Sequence, residues 1–307
     1  MLKFSFVIIA LLLSVNLLAQ KTPSIKDLET SGTVSLARGD YDSAITDLTK
    51  VIEQTSRIGN SGRSASNFSE GGVSPKSDRI SVVDPRTAMA LVDRGRAYMG
   101  LGQMTQASDD FDRAIRISPS YAAAYFFRGS ASLGARKFEA AITDFDRYKK
   151  LMPERFEGYA ARAMTNLALG NTQATFDDIK TAMTIAPKNP FGYCYRGEAH
   201  RKTGNAAQAL ADFETAMKLS PRIGDPYLGR GIIRLANSSF DDAIADLTTA
   251  LAIDPRMAHA YANRGLAHFA KGKEVEAQAD FDRAFAIKPA LREVIEENLR
   301  IIRSRRF

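Results

Sequence analysis

Apolar and polar residues follow a pattern that repeats every 34 positions between residues 88 and 289. Within each 34-residue block, apolar residues lie three and four apart over block positions 1–14 and again over positions 17–30. This spacing is the period of an amphipathic α-helix. Each block is therefore predicted to form two helices joined by a short turn. The six contiguous blocks begin at residues 88, 122, 156, 190, 224 and 258.

Small and bulky residues occupy fixed positions in these blocks. Position 8 is glycine in five blocks, position 20 is alanine in five, position 24 is Phe, Leu or Ile, and position 32 is always proline. Glycine inside a helix costs about 1 kcal/mol relative to alanine, so its recurrence at position 8 indicates a close approach by the second helix. The side chain at position 24 is predicted to fill the adjoining space, and the proline to end the second helix.

This combination of period and residue sizes closely resembles the tetratricopeptide repeat family. The resemblance covers residues 88–289 without a gap. It implies an all-α fold, a right-handed α-α superhelix or solenoid of about seven helix pairs plus a C-terminal capping helix. At position 4 the family favours Trp or another aromatic residue. Five blocks have tyrosine there, and the first block departs with Leu91.

The segments outside the six blocks have different compositions. Residues 21–58 match the repeat at five positions and are predicted to form a degenerate first unit. Residues 59–84 interrupt the array; they are rich in serine and glycine and are predicted to form a flexible surface insert. The contiguous repeats span 85–289. Residues 290–307 space their apolar residues as a helix does and are predicted to cap the array, with an arginine-rich end.

Residues 1–20 read as a targeting segment. Lys3 precedes an apolar run over residues 4–19, which is shorter than the roughly 20 residues that a membrane-spanning helix needs. We expect a secretory signal peptide and an exported protein, either periplasmic or secreted. The alternatives are an uncleaved membrane anchor through residues 4–19 and a misread start codon. The one cysteine, Cys194, permits no internal disulfide, so cysteine usage does not fix the compartment.

Charge adds little to this picture. The formal net charge is +7, and without residues 1–20 it is +6. Mixed charges of this size favour solubility and do not by themselves indicate nucleic acid. The arginine-rich tail does not interleave aromatic with basic residues as base-stacking segments do, so nucleic acid is disfavoured as a partner. Membrane contact is expected only if the N-terminal segment is retained, and the sequence does not indicate an oligomeric state.

Arginine and aspartate recur at block positions 7 and 23, with 16 residues between them inside a block and 18 across a block boundary. Either spacing would bring them together between neighbouring helices. The structural interpretation is a ladder of partly buried ion pairs that fixes helix register; the alternative is a row of guanidinium groups for an anionic ligand. The ladder comprises Arg94, Arg128, Arg162, Arg196, Arg230, Arg264, Asp110, Asp144, Asp178, Asp212, Asp246 and Asp280.

The family resemblance places partner binding on the first helix of each pair, at block positions 2, 5, 9 and 12, which line a concave groove. These positions are mostly apolar here, as is common at peptide-docking surfaces. The alternative is that superhelix curvature or the insert shields some of them. The predicted groove residues are Val92, Arg96, Phe126, Ser130, Met164, Phe191, Cys194, Glu198, Leu228, Ile232 and Leu266. Leu228 and Ile232 occupy positions where a carboxylate clamp needs Lys and Asn, so that clamp is absent.

Catalytic motifs are not apparent in the sequence. His200 and His268 share block position 11 and are interpreted as packing residues, and the spacing of His259 and His268 does not suit a helical zinc pair. No cofactor or metal is expected. The sequence therefore predicts a non-enzymatic scaffold or adaptor that binds a protein or peptide. The alternatives are a regulatory subunit of an enzyme complex and an anionic-surface binder that uses the arginine-rich tail.

Overall fold

The computed structural model describes residues 23–64 and 84–304. The predicted signal segment and most of the predicted insert lie outside these ranges. Within them the regular elements are fifteen α-helices. None of these helices combines the length and the apolar character needed to cross a membrane. The helices are α1 Ile25–Arg38, α2 Tyr41–Ser64, α3 Pro85–Gly100, α4 Met104–Ile117, α5 Ala122–Gly134, α6 Phe138–Leu151, α7 Phe156–Leu169, α8 Thr172–Ile185, α9 Pro190–Lys202, α10 Ala206–Leu219, α11 Gly224–Ala236, α12 Phe240–Ile253, α13 Ala258–Ala270, α14 Glu274–Ile287 and α15 Leu291–Ser304.

The helices are grouped in two compact units, which divide between Leu151 and Met152. In unit 1, α1 packs on α2, α3 on α4 and α5 on α6, and each pair also contacts the next. In unit 2, four further pairs follow in the same way from α7 to α14, and α15 packs on α13 and α14. Each unit is therefore a stack of helix pairs in which every pair covers the apolar face of its neighbour.

The seven turns inside the helix pairs share a left-handed backbone conformation at block position 15. Glycine occupies five of them, with φ between 74° and 83°. Left-handed residues commonly end helices, and glycine adopts the conformation without strain. Arg136 and Ser238 stand at the equivalent positions of the other two pairs with φ of 60° and 61°. The turn geometry thus persists where glycine is absent, because the packed helices on both sides impose it.

One boundary differs from the sequence expectation. Helix α2 continues to Ser64, six residues past the predicted end of the first unit. Thr55 on α2 is buried, and its hydroxyl accepts a 2.8 Å hydrogen bond from the hydroxyl of Thr87 on α3. This contact joins the helices on either side of the insert, so α2 and α3 pack directly although some 20 residues separate them in sequence.

The least regular block of the sequence, residues 156–189, forms regular helices. Helices α7 and α8 each run for 14 residues without interruption. Thr175 replaces the usual alanine at position 20, and its hydroxyl donates to the carbonyl of Asn171 at 2.9 Å, so the polar group is satisfied inside the helix. The pattern-breaking residues of this part of the chain predict irregular helix geometry or early opening near residues 148–180. The helices are regular, and early opening stays a prediction.

Candidate functional site

The arginine at block position 7 and the aspartate at position 23 form an ion pair in each of the six blocks. In unit 1 the Nε and Nη2 atoms of Arg94 donate to the two carboxylate oxygens of Asp110 at 2.8 and 2.7 Å. The other five pairs repeat this two-point geometry: Arg128 with Asp144, Arg162 with Asp178, Arg196 with Asp212, Arg230 with Asp246, and Arg264 with Asp280. All six aspartates are buried.

These pairs are structural contacts between the two helices of one block. A planar guanidinium that meets a carboxylate at two points fixes both the distance and the rotation of the helices. The pairing also raises the pKa of Arg128, and the hydrogen bond to Asp144 is the main cause. Because two donor atoms of every ladder arginine already face the chain's own aspartate, a continuous row of free guanidinium groups for a ligand is not formed.

A second constellation lies in unit 2, where the first helices of four successive pairs border a pocket of about 380 Å³. Met164 on α7, Cys194 on α9, and Leu228 and Ile232 on α11 contribute apolar surface. Glu198 lies one turn after Cys194 on α9, so both face the pocket. Five of the predicted groove residues therefore meet at one place.

Polar side chains frame this pocket. Glu198 accepts hydrogen bonds of 2.7 and 2.6 Å from Arg201, one turn later on the same helix. Asp225 reaches solvent at the rim, yet loss of water around its carboxylate, together with the charges of Asp254 and Glu198, raises its pKa. Desolvation and the charge of Lys288 lower the pKa of His259. The site therefore offers an apolar floor with acidic and basic groups on its edge.

Cys194 is a buried thiol and not an activated one. Burial, and next the charge of Asp225, raises its pKa to about 12. Nucleophilic cysteines instead have lowered pKa values and sit beside cations or helix N-termini. At neutral pH Cys194 is protonated and contributes a small apolar surface to the pocket.

Tyr195, Asp225 and His259 line the pocket although the sequence analysis did not assign them to the groove. Asp225 and His259 stand at block position 2, one of the positions that the resemblance assigns to the groove. Their position in the repeat could therefore have identified them as groove residues. Tyr195 stands at position 6 and carried no such signal; its ring lies 6.3 Å from that of Phe156, a buried residue of α7.

The remaining predicted groove residues lie elsewhere. Val92 is only 1% exposed and belongs to the core of unit 1, and Leu266 at 7% belongs to the core beside α15, so neither offers an open surface. Adjacent helices cover both side chains, which the repeat position alone does not reveal. Phe191 is 39% exposed, with its ring 6.3 Å from that of Tyr195.

In unit 1 the predicted groove residues mainly contact one another or nearby rings. Phe126 joins an aromatic cluster with Phe127, Phe145 and Tyr148, at centroid distances of 5.1 to 5.9 Å. The hydroxyl of Ser130 donates to the carbonyl of Phe126. The guanidinium of Arg96 lies 4.9 Å from the ring centroid of Phe127 and pairs with Asp93. These residues are therefore partly engaged in local packing.

Residues 92–160 and 228–291 match one tetratricopeptide repeat model, and residues 190–223 match a second model of the same description. The matched residues make up more than half of the chain. The chain belongs to the tetratricopeptide repeat family. Its interrupted first unit, α1 and α2, lies before the matched residues. No curated protein sequence matches the chain.

Solved tetratricopeptide repeat structures share the fold. A tetratricopeptide repeat protein from Parabacteroides merdae is 18% identical, with a TM-score of 0.66 over 91% of this chain and 98% of that one. A chain of the APC/C hetero-tetramer Cut9–Hcn1 is 16% identical, with a TM-score of 0.61 over 90% of this chain and 55% of the other. Yeast Tom70 is 16% identical, with a TM-score of 0.55 over 87% and 61%. At these identities the likeness establishes the fold alone.

The described part of the chain holds no group of three or more His, Cys, Asp or Glu side chains arranged to bind a metal ion. Among the described residues, one buried ring nitrogen of His200 and one of His268 have no hydrogen-bond partner. The ring of His200 lies 4.9 Å from that of Phe176. A tetratricopeptide repeat fold of this kind is in general a protein-interaction scaffold.

Proposed function

We propose that this protein is a non-enzymatic adaptor that binds a segment of a partner protein in the unit 2 pocket. The observation that supports the proposal is the apolar floor formed by Met164, Leu228 and Ile232, open to solvent and framed by charged side chains. A pocket of about 380 Å³ lies within the range of about 300–1,000 Å³ common for ligand sites. An apolar side chain of the partner would enter the floor, while polar groups of its backbone would meet the rim.

The charged side chains at the rim determine which partner segments the pocket prefers. The Glu198–Arg201 pair holds both side chains in place on α9, whereas Asp225 has a carboxylate that no described cation neutralises. A partner that brings a cationic group to Asp225 would lower the pKa of this carboxyl and gain a charge-assisted hydrogen bond. The preferred segment is therefore an apolar residue followed or preceded by Lys or Arg.

Partner capture with matched variants tests the proposal. The full chain carrying Ile232→Asp or Met164→Asp would be crosslinked in its native host beside the unchanged chain, and bound proteins identified by mass spectrometry. Val275→Asp is the control, because Val275 is an 83% exposed apolar residue on α14 away from the pocket. A partner retained by the control and lost from both pocket variants supports the adaptor role. A partner retained by all of them rules the pocket out.

We further propose that the protein acts outside the cytoplasm, on the evidence of the apolar segment 4–19 after Lys3. Mass measurement of the mature N-terminus after expression in the native host tests this proposal. A chain that begins after about residue 20 supports cleavage, and an intact chain in the membrane fraction supports the alternative anchor. An intact chain in the cytoplasm contradicts both.

A further inference from the structure

Three of the ladder arginines, Arg94, Arg128 and Arg264, use a third donor atom, Nη1, to reach the second helix of the preceding block. Nη1 of Arg94 donates to the hydroxyl of Thr49 at 2.9 Å, and Nη1 of Arg128 donates to the carboxylate of Asp112 at 2.6 Å. In unit 2, Nη1 of Arg264 donates to the hydroxyl of Thr248 at 3.1 Å. Thr49, Asp112 and Thr248 all stand at block position 25. This position therefore supplies an acceptor that ties one block to the next.

At Arg196 the residue at this position of the preceding block is a cation. The residue at position 25 of the preceding block is Lys180, on α8. Asp212 occupies Nε and Nη2 of Arg196, whereas Nη1 has no acceptor among the described residues. The Arg196 side chain is also 39% exposed, compared with 12% for Arg94. The Arg196 pair thus has a second positive group, Lys180, at the position where Arg94, Arg128 and Arg264 have an acceptor.

These two cations border an open pocket of about 450 Å³ between α8 and α9. Phe176, Ile179 and Met183 form its apolar walls. Asp177 stands at the rim, where its carboxylate accepts a 3.0 Å hydrogen bond from Gln173. Arg196 lies two residues from both Cys194 and Glu198 on α9, so it faces away from them and this pocket is separate from the unit 2 pocket described above.

We propose that Lys180 and Arg196 bind the carboxylate of a Glu or Asp side chain from an acidic segment of a partner protein. The chain itself places a carboxylate at the equivalent point, where Asp112 meets Arg128. The apolar walls suit the methylene groups of such a side chain. The negative charge of Asp177 at the rim favours a singly charged carboxylate over a dianionic phosphate, since like charges in one site repel.

Titration of the full chain with a short acidic peptide tests this site. The probe is the acetylated peptide amide Ser-Leu-Glu-Leu-Ser, and its Gln analogue is the uncharged control. Binding would be followed through the side-chain NMR signals of Arg196 and Lys180. We expect the acidic peptide to shift both signals and the Gln analogue to bind about tenfold more weakly, because a hydrogen bond to a charged group is lost. Equal binding of the two peptides, or no shift at either residue, would overturn the proposal.

Lys180→Asp is the decisive variant, because it places the chain's own carboxylate where Asp112 stands beside Arg128. The variant is expected to lose peptide binding and to unfold at a higher temperature than the unchanged protein. Lys218→Asp makes the same charge change at an exposed lysine on α10 and is expected to bind normally. Lys180→Gln provides a second test if Lys180→Asp folds poorly. Peptide binding that survives at Lys180→Gln, or inorganic phosphate that binds more tightly than the peptide, contradicts the assignment.

Discussion

Gly95 and Phe111 approach so closely that a Cβ atom on Gly95 would lie 2.5 Å from the Phe111 ring. We expect Gly95→Ala to lower the free energy of unfolding by about 1–3 kcal/mol, because the ring is fully buried and cannot move aside without strain. Urea denaturation measures the change. Gly134→Ala is the control: nothing lies within 4 Å of the added carbon, so alanine should stabilise α5 by up to about 1 kcal/mol. Equal effects at the two sites would contradict the packing role of Gly95.

Ser238 adopts a left-handed conformation that glycine adopts in five equivalent turns. We expect Ser238→Gly to raise the free energy of unfolding by about 0.5–1 kcal/mol, since the conformation costs a residue with a Cβ atom roughly 1–2 kcal/mol and the more flexible unfolded glycine offsets part of the gain. Ser238→Ala keeps the Cβ atom and should give no gain. Thermal denaturation of the three proteins compares them, and a stabilised alanine variant would point to a cause other than backbone strain.

Asp110 depends on Arg94 for its place in the core of unit 1. Arg94→Met would leave the buried carboxylate without its two-point partner and should cost about 3 kcal/mol or more. Replacing both residues, as Arg94→Met with Asp110→Leu, should recover most of this loss. Chemical denaturation provides the measurement.

The exposed Arg300–Glu297 pair on α15 is the matched control for the ladder. Both side chains are largely solvated, so Arg300→Met should change the free energy of unfolding by no more than about 1 kcal/mol. A similar cost at Arg94 and Arg300 would show that the ladder pairs contribute no more than surface ion pairs.

Cys194 should resist thiol reagents over an unusually wide pH range. The thiolate is the reactive form, and burial raises the pKa of this thiol to about 12, whereas an unperturbed cysteine titrates near 8.5. At pH 9 the native protein should therefore react slowly with a disulfide reagent, and the urea-unfolded chain quickly. Because Cys194 is the single cysteine, absorbance reports it alone. Fast labelling of the native protein at pH 8 would contradict the burial.

The helix pairs and their turns could be predicted from the sequence because their signals are local. Proline at position 32 prevents the second helix from continuing, and the spacing of apolar residues defines each helical face. The small residue at position 8 and the ring at position 24, as in Gly95 and Phe111, indicated which helices would touch. These features depend on neighbours within one block. Because the same pattern recurs in six blocks, it can be recognised from the sequence.

Tertiary structure alone decided which of the repeated side chains remain open. Val92 and Leu228 share block position 5, yet Val92 is buried in a core while Leu228 is only partly buried and borders a pocket, because the helices that cover them differ. The sequence allowed arginine to pair across 16 or 18 residues, and packing selected the spacing of 16. Likewise, the sequence does not distinguish Lys180 from other surface lysines; only the folded chain places it with Arg196 at the border of one pocket.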